Sequence, residues 1–346
     1  MRYLLYADQN YAFQILRPLQ SEILARGGEA AWLLAGNSVS ARHIRDGEIL
    51  LDGAARAVEW KPDAVLVPGN MAPAFLPGIK VGVFHGFNVA KSTRGQARGH
   101  FNIRDCFDLY CTQGPNTTEP FRRLAAERGH FEVVETGWAT LDPLFSGSPP
   151  ARPDDRPRIM LCSTFTKSLS CAPRLLDTVR RLSRTGRWHW TVQFHPKMDR
   201  RICEAYRALQ GDHLEYVDTD DIIPYLRRAD AMVCDTSSVM YMFMAQNRPV
   251  VTFRNNSAGE RAHLLDVRDP SALESAVETA LTRPAGLMRN IDAWLAKTHP
   301  YRDGRSAARV IDAVEAFRAV PPALRPKPFN LLRNLKERAK LGYWWP

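Results

Sequence analysis

Short apolar runs alternate with amphipathic stretches along nearly the whole chain. Residues 2–7 predict a strand. Residues 12–26 predict an amphipathic helix stopped at Gly27 and Gly28. Further strands are expected over residues 31–34, 63–67, 81–84, 109–112 and 132–134, with a helix over 115–128 that carries Pro115 in its first turn. Residues 145–157 break the rhythm, with four prolines, one glycine and few apolar groups, and read as a linker. The alternation then restarts, with strands over 158–161, 190–194 and 214–217 and helices over 173–184, 200–209 and 222–228. The segment 230–253 reads as a buried strand, a polar turn, a short apolar helix and a second strand. Helices over 271–281, 287–296 and 305–317 close the pattern. Strand and helix in alternation argue for parallel α/β sheets. Two similar halves predict twin doubly wound domains facing a cleft, with ligands at the carboxyl ends of the strands.

Composition narrows this reading little: 346 residues, 45% apolar and 24% charged, are ordinary for globular domains. The charge of +10 suits an anionic ligand, an anionic membrane or nucleic acid. About half of that surplus lies in the last 26 residues, where Arg325, Lys327, Arg333, Lys336, Arg338 and Lys340 face Glu337 alone. This clustering, without a recognised binding module, disfavours a nucleic-acid binder. The six cysteines form no C-x-x-C pair and no zinc pattern, and are expected to be reduced thiols of a cytosolic protein. No signal peptide and no membrane span is expected. The absence of G-x-G-x-x-G leaves a dinucleotide oxidoreductase unsupported.

Candidate chemistry gathers where strands end. His85 follows a buried strand and precedes Gly86, which lets a backbone come close to a ligand. An imidazole there is placed to act as a general base, or simply to cap a loop, with Asn88 and Lys91 on the same rim. His195 ends a second strand before Pro196 and Lys197, and the pair could donate hydrogen bonds to a diphosphate or be an ordinary strand terminus. Thr164 ends a third strand, in a polar loop that could line the same cleft. In Asp235, Thr236, Ser237 and Ser238 the turn falls where a helix begins, a place that suits phosphate as well as a plain N-cap. Asp220 reads as the N-cap of the helix after it, and no metal site is expected.

Taken in order, these pieces resemble the CDP-glycerol glycerophosphotransferase family, which includes teichoic-acid primases and polymerases. The matching pieces are Phe84-His-Gly86 with Lys91, Thr136-Gly-Trp-Ala-Thr-Leu-Asp-Pro-Leu144, Ser163-Thr-Phe165 and Phe194-His-Pro196. They continue with residues 220–230, Cys234-Asp-Thr-Ser-Ser-Val-Met240, Asn247-Arg-Pro249 and Asp303-Gly304. The resemblance implies a GT-B fold: an acceptor domain over 1–145, a linker over 146–157, a nucleotide-donor domain over 158–310 and a crossing or tail helix over 311–346. It implies transfer of glycerol phosphate, or another phosphopolyol, from a CDP-activated donor to a hydroxyl of a cell-surface glycan or lipid-linked acceptor. His85 would be the base, His195 would lie at the donor diphosphate, and Asp235 to Ser238 would cradle the phosphates. No tightly bound cofactor is expected, and a diffusible magnesium with the donor is compatible. The chain departs from the family pattern at Phe87, at Ala139-Thr140 and at Thr236.

Those departures keep a GT-B glycosyltransferase using a sugar nucleotide for surface polysaccharide or lipopolysaccharide as the alternative. A non-hydrolysing sugar-nucleotide epimerase is a further rival. In the tail, Leu331, Leu332, Leu335 and Ala339 share one helical face among basic residues, and Tyr343, Trp344 and Trp345 close the chain. That pattern fits a helix lying on an anionic membrane, which would make the enzyme cytoplasmic and peripheral on the inner face. It equally fits a helix packed back across the domains.

Overall fold

Every strand pairing in both sheets is parallel. The computed structural model describes all residues except 37–38, 88–100, 149–150, 153, 220, 257–260 and 345–346. Asn88, Lys91, Asp220 and Trp345 therefore lie outside the described residues. The chain divides into two compact units, the second formed by Leu144–Ala296 and the first by described residues on either side of it.

In the first unit the strands are β1 (Arg2–Ala7), β2 (Glu29–Leu34), β3 (Ile49–Leu50), β4 (Ala64–Val67), β5 (Ile79–Gly82), β6 (Leu109–Thr112) and β7 (Glu132–Glu135). They lie in the order β3-β2-β1-β4-β5-β6-β7. β4 and β6 are buried along their whole length, which explains their unbroken apolar runs. Leu4, Tyr6, Val65, Val67, Phe107, Phe121 and Phe131 belong to one core cluster. The helix Pro115–Arg128 starts at its proline and ends at Gly129, whose φ of 72° is the left-handed cap that glycine tolerates.

The second unit holds β8 (Arg158–Ser163), β9 (His189–Phe194), β10 (Leu214–Val217), β11 (Ala231–Cys234), β12 (Val250–Phe253) and β13 (Leu265–Val267). Their order is β10-β9-β8-β11-β12-β13, so the direction of winding reverses between β8 and β11. In the first sheet the equivalent reversal lies between β1 and β4. Such switch points open a crevice at the carboxyl edge of a sheet. Both halves thus have the doubly wound α/β architecture expected from the hydrophobic pattern.

The differences have physical causes. β3 is exposed at both positions and β13 is half-buried throughout, so neither edge strand writes an apolar run into the sequence. The helix Gly53–Trp60 was not expected; it buries only Ala54 and Ala57. The chain returns to the first unit at Lys297, rather than after residue 310. The helix Ser306–Ala319 buries Ala307, Val310, Ile311 and Val314 and belongs to the first unit, where Arg26 pairs with Asp312 at 2.7 Å. Asp142 caps it from outside, accepting the Ser306 and Ala307 N–H groups at 2.9 and 2.7 Å. Gly137 sits under this return at φ 82°, where a Cβ would stand 2.5 Å from Ser306 Oγ.

The terminal helix Leu331–Leu341 packs on the first unit. Lys327 pairs with Asp108 at 2.6 Å and Lys340 with Asp8 at 3.8 Å, while Tyr343 stacks on Phe75 at 4.8 Å. Five cysteines are buried and Cys203 is half-buried, all as free thiols. Among the described residues no helix is long and apolar enough to cross a membrane.

His299 gives this unit a pH signature. It is 1% exposed and accepts the Trp138 N–H on Nε2 at 3.0 Å. Burial, the largest influence, pushes its pKa down to about 4. An unfolded chain takes up that proton near pH 6.5, so the stabilisation is complete above that value and is lost as pH falls toward 4. Urea unfolding at pH 7.5 and 4.5 checks this. Wild type should lose roughly 2–3 kcal/mol more over that interval than His299→Gln, and equal losses would contradict it.

Candidate functional site

On the first sheet, His85 stands three residues beyond β5. The ladder stops at Gly82, earlier than the apolar run through residue 84 suggests, because Phe84 turns with φ 60°. That left-handed value is uncommon for a bulky residue. The Phe84 ring is held in the core, 5.3 Å from Phe121 and 6.0 Å from Tyr110. The turn aims the half-buried His85 at the carboxyl end of the neighbouring β4, where its Nδ1 lies 3.1 Å from the Pro68 carbonyl oxygen. A carbonyl can only accept, so Nδ1 carries the proton and a neutral ring keeps its lone pair on Nε2.

Tyr11, from the start of the helix after β1, has its ring centroid 5.6 Å from that of His85. Burial, assisted by Asp8, pushes the Tyr11 phenol up to about 12, so it stays protonated at neutral pH. A Cβ on Gly69 would lie 3.4 Å from the Asp8 carboxylate, which places the turns after β1 and β4 side by side. Asp8 and Tyr11 therefore belong to this edge, and the sequence reading missed them. The available signal was their position directly after the first apolar strand. Gly86 accepts the Gln113 side-chain N–H at 3.1 Å, and a Cβ there would meet nothing within 4 Å among the described residues.

On the second sheet the organising group is Asp235, directly after β11 and fully buried. Its carboxylate accepts Ser163 Oγ at 2.6 Å, Thr164 N–H at 3.0 Å, Cys171 N–H at 3.0 Å and Ser237 N–H at 3.0 Å. Its own carbonyl accepts the Asn255 side-chain N–H, from beyond β12, at 2.9 Å. One residue thus ties together the carboxyl ends of β8, β11 and β12. This corrects the expectation for Asp235: its carboxylate points across the switch point, with its lone pairs engaged by the protein, and does not cradle a phosphate. The N–H groups of Thr164 and Ser237 are likewise committed to Asp235. The Thr164 side chain stands half-buried beside this network. Thr236 and Ser237 are half-buried, and Ser238 is exposed where the six-residue helix Val239–Met244 begins.

His195 lies at the end of β9, exposed, with Lys197 two residues on. Its Nδ1 accepts the Lys197 backbone N–H at 3.0 Å. The neutral ring therefore carries its proton on Nε2, the tautomer opposite to that of His85. Partial desolvation of the otherwise exposed ring, followed by the Lys197 charge, lowers the His195 pKa, which favours the neutral form at physiological pH. Phe165 packs its ring 4.5 Å from His195, and Lys197 Nζ lies 5.9 Å from the Phe165 ring centre. Phe165 is 41% exposed beside these two polar groups and was missed as a site residue, although it lies in the quoted Ser163-Thr-Phe165 piece. Among the described residues no group of three His, Cys, Asp or Glu side chains is placed to hold a metal ion.

Both edges carry polar side chains fixed by short backbone contacts at a parallel-sheet crevice. Residues 176–316 match the CDP-glycerol:poly(glycerophosphate) glycerophosphotransferase family. The matched stretch contains His195, Lys197 and the run Asp235 to Ser238, and it bears out the resemblance drawn from the motifs. Over that stretch the chain is similar to a glycerophosphotransferase. Among solved structures it resembles the wall teichoic acid polymerase TagF, with 13% identity, a TM-score of 0.65 and coverage of 91% of this chain and 88% of that one. It also resembles a UDP-N-acetylglucosamine 2-epimerase at 15% identity, with a TM-score of 0.60 and coverage of 95% and 98%. The S. aureus MnaA–UDP co-structure matches at 14% identity and a TM-score of 0.63, covering 95% of this chain and 100% of that one. At such identities the likeness concerns the fold, a GT-B-like pair of α/β units. No curated protein matches the sequence.

The Asp235 network makes a stability prediction. Asp235→Asn places an amide nitrogen among donors that need an acceptor, and should cost roughly 2–4 kcal/mol in chemical unfolding. A variant as stable as wild type would contradict the anchoring role.

Proposed function

We propose that the protein transfers glycerol phosphate, or another phosphopolyol, from a CDP-activated donor to a hydroxyl of a cell-surface glycan or lipid-linked acceptor. The observation that carries the reading is the pair of opposite histidine tautomers at the two strand edges. A base needs a lone pair, and a neutral His85 carries its lone pair on Nε2. A group that holds a diphosphate needs a proton to donate, and His195 has its proton on Nε2. The family matched by residues 176–316 supports the donor class, and a variant of TagF has been studied with CDPG.

In this mechanism His85 Nε2 takes the proton of the acceptor hydroxyl. The hydroxyl oxygen forms a bond to the phosphorus nearest the polyol. The bond from that phosphorus to the bridging oxygen breaks, and CMP leaves with the electron pair. His195 Nε2–H, the Lys197 ammonium and the Ser237 and Ser238 hydroxyls stabilise the charge that builds on the departing phosphate. A neutral donor histidine fits the lowered His195 pKa. The scheme assigns no step to a tightly bound cofactor, and a magnesium ion carried in with the diphosphate is compatible with it. The polyol acceptors of this reaction class are envelope components, so the protein would work on the cytoplasmic side as a peripheral membrane protein.

Single-turnover rates and donor titrations test the assignment. His85→Ala should lower the rate by 10²–10⁴, the usual range for a general base, with CDP-glycerol affinity changed by less than about threefold. His195→Ala should weaken donor binding by about tenfold or more, as loss of a charge-assisted hydrogen bond would. Near-normal turnover in His85→Ala would remove the base assignment. Glycosyl transfer from a sugar nucleotide is the second reading, favoured by the fold shared with the MnaA–UDP co-structure. It would be recognised by release of a nucleoside diphosphate.

A further inference from the structure

The terminal helix Leu331–Leu341 is packed the wrong way round for a helix that exists only to cover its unit. At 100° per residue, Leu331, Leu335, Ala339 and Leu332 occupy an arc of about 100°. Arg333, Glu337 and Leu341 occupy the opposite side. It is this second, mostly polar side that faces the protein. Glu337 is buried, Arg333 bonds the Arg104 carbonyl, and Leu341 packs on the first core. Arg338 lies 5.0 Å over the Phe75 ring, against which Tyr343 also stacks.

The leucine side is left to solvent: Leu331 is 56% exposed, Leu332 73% and Leu335 42%. Phe329 at 80% and Trp344 at 63% extend the apolar surface beyond both helix ends. Such a contiguous patch on an outward helix face marks an interaction surface. Lys336 borders the leucine arc on one side and Arg338 on the other, with Lys340, paired to Asp8, further round and no carboxylate in the arc.

We propose that this face is a docking surface for an anionic lipid bilayer, and that the helix engages lipid while staying packed on its unit. The charge chooses the occupant. A second copy would set the cationic borders of two such helices against each other, whereas anionic headgroups complement them. Apolar residues at the centre and basic residues at the margins are the layout of an interfacial helix. The inference deepens the peripheral-membrane reading and is independent of the transfer chemistry. The tail's contacts run from Asp108, just before β6 and paired with Lys327, to Asp8, just after β1 and paired with Lys340 of the helix. Docking would therefore set the bilayer along one face of the first unit, from the amino to the carboxyl edge of its sheet.

Flotation of the full chain, without donor or acceptor, on vesicles of phosphatidylcholine with phosphatidylglycerol tests this. The wild type should partition at least tenfold more strongly to these than to phosphatidylcholine alone. Leu332→Ser combined with Leu335→Ser should lose at least tenfold, as should Lys336→Glu, all with unchanged unfolding midpoints because these side chains are exposed. Hydrogen exchange of amides 333–341 should stay protected on vesicles. Wild-type binding by the leucine variant, or no flotation by wild type, would overturn the docking surface. Loss of amide protection on vesicles would overturn the docked geometry. A wild-type dimer that the leucine substitutions dissociate, with no vesicle binding, would assign the face to a second copy instead.

Discussion

The carboxyl edge of the second sheet depends on one buried carboxylate. Parallel sheets end in frayed loops unless something ties their carboxyl ends together, and here Asp235 does so for three strands. Its oxygens satisfy two N–H groups and a hydroxyl from the segment after β8, and one N–H from its own turn. Its carbonyl holds Asn255 beyond β12. A buried carboxylate is costly without such partners, so the network is retained whole or disrupted whole. By fixing where residue 164 leaves β8, it also positions Phe165, whose ring meets His195 at the end of β9.

In both histidines a backbone group sets which ring nitrogen carries the proton. A carbonyl after β4 accepts from Nδ1–H of His85, and an N–H after β9 donates to Nδ1 of His195. Strand endings thus assign opposite hydrogen-bonding roles to identical side chains. The left-handed turn at Phe84 is the local strain that makes the first contact, and the aromatic core around Phe121 and Tyr110 holds it in place. Preorganisation of this kind would suit the proposed phosphoryl-type transfer, where positioning and electrostatics supply most of the acceleration.

Much of this was legible in the sequence because central parallel strands are buried on both faces and appear as short apolar runs. β8, β11 and β12 were readable for that reason, and His85 and His195 stood out as polar residues at the ends of such runs. What stayed hidden depends on neighbours distant in the chain. The inward turn of Asp235 is set by Ser163, 72 residues away, so the local run reads equally well as a phosphate cradle. Asp8 and Tyr11 join His85 only through the sheet order. The amphipathic pattern of Ser306–Ala319 shows a buried face without saying which sheet covers it. In the tail, the leucine stripe was visible, but only the packing of Glu337 and Arg333 against the first unit shows that the stripe faces outward.

The central claim is that the strand edges serve transfer of a phosphopolyol, and the nature of the leaving group decides it. Phosphorus NMR of wild-type enzyme incubated with CDP-glycerol and a membrane-derived glycan acceptor would follow every phosphorus atom. The account predicts loss of the diphosphate signals, with appearance of CMP and a new phosphodiester in equal amounts. An inert CDP-glycerol, together with a sugar nucleotide that is converted to nucleoside diphosphate and a phosphorus-free product, would contradict it.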